Sequence, residues 1–287
     1  IHSEVPVRIQ SGTLSIWAAD DAIHSDDEVT IGEDGSDGPK IVILDCYEGI
    51  EASLVNALSG TVTIHSEDDC INAANSERST YPFAINIAGG KFVMDSASGD
   101  GMDSNGTIQI SGGTVFVWTA NRADNQPLDA DGEIIITGGT VLAAGGSSGM
   151  GMKLSGTQAY AEFGNTAVSF PMNGGGMRGE KPEAPQMSER EKPERSEEMP
   201  PEPPDGKPAD FAPGGFPDGG AETLINSGSA FVVTDADGNT LYSGTALCNA
   251  GYVFFSSPKC KTGDGLTLKV GEDTVSSVDC RLPDSQK

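Results

Sequence analysis

Carboxylates recur at fixed offsets from a series of apolar residues. With Ile23, Ile50, Ile71, Met102, Leu128 and Met150 as anchors, Asp21, Glu48, Asp69 and Asp100 stand two residues before an anchor. Asp20 and Asp68 stand one further back, and His24, Glu51, Asn72, Asp103 and Asp129 stand one after. The anchors follow one another at intervals of 21 to 31 residues, so these side chains meet only where successive units of chain stack. Stacked strands lie about 4.8 Å apart. At that spacing two like charges repel by about 1 kcal/mol in water and several-fold more where water is partly excluded. Residues 1–170 carry 24 acids and six bases, so bound cations are the remedy this composition offers. Carboxylates, the Asn72 amide and loop carbonyls form an all-oxygen donor set, which suits Ca²⁺ rather than Zn²⁺. The competing reading is a solvated acidic ridge that stays partly protonated.

Other chemistry has thinner support. Carboxylate pairs of the kind glycosidases use are too numerous here for one pair to stand out. His2, His24 and His65 fall in separate units without metal or triad spacing and read as structural. Elimination from a uronic acid needs a cationic or strongly basic side chain beside the sugar proton. Arg122, in the longest loop, is the one candidate, and pairing with Asp124 or with a ligand is its alternative reading. Phe116 and Trp118 stand two apart on one strand and project to the same side, with Trp17 in the Trp118 column of an earlier unit. Such faces stack well on sugar rings; alternatively, a capping subdomain or the linker covers them.

The elements that position these residues form a repeat. GTLSIWAADDAIHS from Gly12, KIVILDCYEGIEA from Lys40, GTVTIHSEDDCINA from Gly60, GKFVMDSASGDGMDSNG from Gly90, GTVFVWTANRADNQPLDADG from Gly113 and GTVLAAGGSSGMG from Gly139 superimpose. A second strand precedes most of the glycine turns, as in PVRIQSG, AINIAGG, TIQISGG and EIIITGG. Each unit reads strand, turn, strand, polar loop, and is too small to bury its own apolar side. Stacking such units pairs like strand with like strand in parallel sheets, which makes a parallel β-helix of about six coils. A leucine-rich repeat has a similar period but needs a Leu and Asn pattern that is missing. Alternation sends Leu14 and Ile16, Ile41 and Ile43, Val62 and Ile64, Phe92 and Met94, and Val115 and Val117 inward. It sends Trp17, Leu44, His65, Asp95, Trp118 and Ala144 outward in one column.

Composition agrees with an all-β chain: 287 residues include 38 glycines, and Val, Ile and Thr are abundant. A formal net charge of −26 argues against nucleic acid or an anionic membrane as direct partner. No apolar stretch approaches the roughly 18 to 20 residues of a membrane helix. Ile1 falls in mid-repeat, so the chain reads as lacking its natural start. Residues 171–220, rich in Pro, Gly and Glu, read as a mobile insertion between residues 1–170 and a C-terminal β subdomain at residues 221–287. There AFVVTDADGNTLYSG predicts a hairpin around Asp237-Gly238. YVFFSS and LTLKV complete a small sheet that caps the end of the coils. Cys46 and Cys70 read as buried apolar residues. Cys248, Cys260 and Cys280 allow one disulfide in any of three pairings.

Taken in order, the segments DDAIHS, YEGIEA, DDCINA, GDGMDSNG and PLDADG, with intervening ISGGTV strands, resemble a family of bacterial carbohydrate-binding proteins. The resemblance covers residues 1–160 and, more loosely, VFFSSP near the C-terminus. It implies a polysaccharide-lyase-like right-handed β-helix that binds Ca²⁺ and is associated with cellulose and pectin binding rather than with demonstrated cleavage. Secretion to a bacterial cell surface follows from it too. Two departures stand out: Gln126-Pro127 replaces the acid and the usual Gly of other coils, and Ser148-Gly149 ends the ladder. The expectation is a monomeric, non-enzymatic, Ca²⁺-stabilised binder of plant-wall polysaccharide. A pectate-lyase-like enzyme and a structural stalk are its alternatives.

Overall fold

Alternating apolar residues after each glycine turn build one wall of a solenoid. The computed structural model describes residues 1–74, 80–122, 124–146, 152–164 and 222–283. Strands Thr13–Trp17, Lys40–Asp45, Thr61–Ser66, Lys91–Ser96, Thr114–Thr119 and Thr140–Gly145 pair in parallel, each with the next, across about five turns of a right-handed β-helix. In-register partners run Leu14, Ile41, Val62, Phe92, Val115 and Val141 in one inward column. Ile16, Ile43, Ile64, Met94, Val117 and Ala143 form the other. From Ile41 to Ala143 these side chains are fully buried. Each buried Val, Ile or Phe contributes about 1.5–3 kcal/mol relative to exposure, so the columns supply the main driving force for stacking.

A second sheet carries the anchors. Ile23, Ile50, Ile71, Met102 and Leu128 are consecutive partners in parallel register, all essentially buried. The early coils fuse the anchor segment and the following segment into long strands, Ile23–Ile31 and Ile50–Ala57. Later coils split them, as in Ile71–Ala73 and Ala84–Ile87 or Met102–Ser104 and Thr107–Ile110. No helix occurs among the described residues.

The glycine before two of the anchors is required by close approach. A Cβ on Gly49 would overlap the Cys70 carbonyl of the next coil, and one on Gly101 would overlap the Pro127 carbonyl and a Val117 methyl. Gly49→Ala therefore forces adjacent coils apart. Its expected cost is that of overpacking, about 1–3 kcal/mol, read as a lower urea midpoint with an unchanged slope.

The C-terminal part meets expectation in its hairpin and departs from it in the closing strand. Ala230–Thr234 and Thr240–Thr245 form the predicted hairpin, and Gly265–Val270 and Asp273–Asp279 complete an antiparallel sheet. Tyr252–Ser256, expected in that small sheet, inserts antiparallel between Thr140–Gly145 and Tyr160–Gly164. Every residue of it is buried, so it ends the parallel ladder by covering its last edge, where unpaired backbone would invite other strands. Met150, Ser148-Gly149 and the insertion at residues 171–220 lie outside the described residues.

The outward column also differs from its reading. The register shifts between Ile16 and Trp17, so Trp17 pairs with Asp45 instead of Leu44. Farther along, Phe116 and Trp118 are not a free aromatic face. Trp118 is 2% exposed and meets Phe231 edge-on at 5.5 Å, while Phe116 lies 4.5 Å from the Tyr242 ring. With Leu142, Ala144, Val233, Leu266 and Leu268 they form a second core between the β-helix and the small sheet. A surface this apolar is covered because leaving it in water costs more than ordering the subdomain over it.

Candidate metal centre

Two side-chain columns converge on one edge of the anchor sheet. The column after the anchors pairs in register as His2, His24, Glu51, Asn72, Asp103 and Asp129. The column two before is held by backbone hydrogen bonds between coils. The Ala22, Gly49, Cys70 and Gly101 N–H groups donate to the carbonyls of Glu48, Asp69, Asp100 and Gln126. Anchors pointing inward thus force their flanking polar residues to stack at the spacing of the strands.

The upper end gathers Asp21, His24 and Glu51, whose ligand atoms lie within 4.8 Å of one another. His24 Nδ1 lies 2.5 Å from Glu51 Oε2 and 3.4 Å from Asp21 Oδ2, its Nε2 lies 3.2 Å from Asp26 Oδ1, and the His2 ring stacks on it at 4.4 Å. Burial pulls the His24 pKa down, but the hydrogen bond to Asp26 and the Glu51 and Asp21 carboxylates more than offset this and leave it raised. When protonated, His24 supplies a positive charge beside Asp21 and Glu51.

Lower down, the column is acid upon acid. Asp100, Asp103 and Asp129 each bring a carboxylate oxygen within 4.8 Å of the others. Asp69 Oδ1 accepts the Asp100 N–H at 2.7 Å, and Asp100 Oδ1 accepts the Gln126 N–H at 2.6 Å. Burial nevertheless raises Asp69 to about 7 and Asp100 to about 8. The neighbouring carboxylates that bear on them, Asp68, Asp103 and Asp129 for the first and Asp69, Asp129 and Asp103 for the second, push the same way. Glu48 is raised to about 8 by burial, despite accepting both its hydrogen bonds at 3.0 Å from the Asn72 amide. Glu51 and Asp129 are raised as well, first by burial.

Asn72 carries the decisive detail. Its residue is 8% exposed, its Nδ2 is spent on Glu48, and its Oδ1 is buried without a hydrogen-bond partner. A buried carbonyl oxygen left unsatisfied costs about 1–3 kcal/mol. It stands in register with Asp103, at the edge of the Asp100, Asp103 and Asp129 group. Elsewhere on this sheet a stacked polar column satisfies itself: Asn86 donates to Asn56, and Asn56 to Glu28. Here the orphaned oxygen stands beside the buried Asp100 and Asp129 carboxylates, whose ionised forms a positive charge with room for several oxygens would favour. The donors present fit a hard divalent cation, which would neutralise the column when bound.

The remaining predicted residues fall outside this group. Asp20 is exposed, and Asp68 accepts the phenol hydrogen bond of Tyr47. Tyr47 itself is 50% exposed and occupies the Asp20 and Asp68 column, its backbone bonded to both; a search for acids alone overlooks it. Trp17 is 66% exposed. Arg122 is exposed, and its guanidinium is not among the main charges acting on Asp69 or Asp100. Comparison with protein-family models, curated proteins and solved structures produced no match.

Proposed function

We propose that this chain is an extracellular, non-enzymatic β-helix that binds Ca²⁺ along its acidic edge and, through it, an acidic polysaccharide of the polygalacturonate type. The observation that carries the reading is the buried, partnerless Asn72 Oδ1 beside the Asp100, Asp103 and Asp129 carboxylates. Asp69 accepts the Asp100 N–H and Glu48 accepts from the Asn72 amide, while Asp103 and Asp129 are partly exposed. Ca²⁺ accepts six to eight oxygens and commonly leaves some positions to water or ligand, so sugar carboxylates have a place to bind although both partners are anionic.

Aromatic contact comes from the N-terminal coils in this reading, because Phe116 and Trp118 are covered. Trp17 and Tyr47 are exposed on neighbouring coils beside Asp20 and Asp68. Trp17→Ala is expected to weaken polygalacturonate binding by roughly tenfold, equivalent to about 1.4 kcal/mol, and to leave the melting temperature unchanged. Calorimetric titration in calcium and in chelator tests both parts. Binding that survives chelation, or a Trp17→Ala protein that binds as before, contradicts the model.

A further inference from the structure

We propose that Cys260 and Cys280 are the pair that forms a disulfide, locking the C-terminal sheet to the strand that closes the β-helix. Five thiols are present and all are reduced in this structure; Cys260 and Cys280 interact in the C-terminal part, and Cys46 and Cys70 lie near each other in the β-helix core. Cys260 and Cys280 are buried in the core shared by the small sheet and the last coils, at 7% and 3% exposure. Their side chains are close enough to interact with each other. Backbone bonds fix the approach. The Cys260 N–H closes a turn onto Ser257, the Gly263 N–H donates to the Cys280 carbonyl at 2.8 Å, and the Cys280 N–H donates to Asp264 at 2.8 Å.

The other cysteines are placed elsewhere. Cys46 and Cys70 belong to the core of the β-helix. Cys248 is half-buried, and burial followed by the Asp95 carboxylate of the β-helix pushes its thiol up to about 12. Cys260 is the better nucleophile of the pair, since its interaction with Cys280 holds its thiol below the ordinary range. The Cys260 thiolate attacks a disulfide of the glutathione or exchange-catalyst class, forming a mixed disulfide and expelling one thiolate. Cys280 then gives up its proton and attacks the Cys260 sulfur, expelling the second. Two protein thiols are oxidised, one donor disulfide is reduced to two thiols, and the two protons pass to them.

The bond ties the turn at Ser257–Cys260, directly after Tyr252–Ser256, to the end of strand Asp273–Asp279. A link there restricts the unfolded chain and holds the cap against the β-helix. In the host this relies on the extracellular location proposed above. The test supplies its own oxidant, so its result does not depend on that location.

The reduced full chain is equilibrated in a glutathione redox buffer, alkylated in denaturant and digested without reductant. Alkylation of Cys46, Cys70 and Cys248 is expected, with one peptide pair joining Cys260 to Cys280 that disappears on reduction. Cys248→Ala should leave the cross-link intact. Cys260→Ser and Cys280→Ser should each melt, in oxidising buffer, several degrees below the wild type. Five alkylated cysteines across the whole range of buffers, or a link through Cys248, would overturn the assignment.

Discussion

At about pH 8 the calcium-free chain is expected to melt far below the calcium-loaded one, and the gap should close as the pH falls toward 5. Burial first, and then neighbouring carboxylates, raise Glu48 and Asp100 to about 8 and Asp69 to about 7 in the folded chain. The same groups ionise near about 4 when unfolded. Between those values the fold retains protons that the unfolded chain has released. The stability these groups contribute is therefore complete below about pH 4 and is lost as the pH rises through about 8. Calcium reverses the slope, because its ligands must be ionised and its affinity grows as protons leave. At a hundredfold excess over Kd it adds about 2.7 kcal/mol. Asp100→Asn separates the two effects: it should stabilise the calcium-free chain at about pH 8 while weakening calcium binding. Melting curves in calcium and in chelator across this range check the sign. The absence of any gap up to about pH 8 would mean that protons, not cations, are the natural complement of the ladder.

Trp118→Ala is expected to be the most destabilising single substitution among the aromatic residues, at about 3–5 kcal/mol. Its ring is 2% exposed and packs on Phe231, within the core that joins the small sheet to the β-helix. The void would loosen the cap and with it the strand Tyr252–Ser256 that closes the parallel sheet. Calcium affinity of the folded fraction should not change, since the acidic column lies on the other sheet. Chemical denaturation of the variant with and without calcium measures both quantities. A Trp118→Ala protein of normal stability but with impaired sugar binding would restore Trp118 to the binding surface and contradict the packing described here.

Register was the most legible feature of this chain. The anchors Ile23, Ile50, Ile71, Met102 and Leu128 stand in sequence where they pair in space, because a slip of one residue would turn every inward side chain out. The acidic columns follow from the same constraint, so Asn72, Asp103 and Asp129 align in sequence as they pair in space. Which outward aromatics are covered could not be read that way. The residues that bury Trp118 and Phe116 lie more than a hundred positions away, in Phe231 and Tyr242, and no period links them. Tyr252–Ser256 was misplaced for a related reason: a strand buried on both faces is uniformly apolar and carries no alternation to indicate its sheet. Trp17 lost its expected partner to a local register shift, and Tyr47 went unnoticed because its column was recognised by its acids. The orphaned Asn72 oxygen is a property of side-chain packing alone, invisible in a one-dimensional pattern.

Anomalous diffraction from crystals grown with calcium tests the central claim most directly. The account predicts a calcium peak bounded by Asn72 Oδ1 and the carboxylates of Asp100, Asp103 and Asp129, at the usual Ca–O distances of about 2.3–2.6 Å. A map with no peak there, with Asn72 Oδ1 instead accepting a hydrogen bond from a protonated carboxyl, would show that the ladder is held together by protons and not by metal.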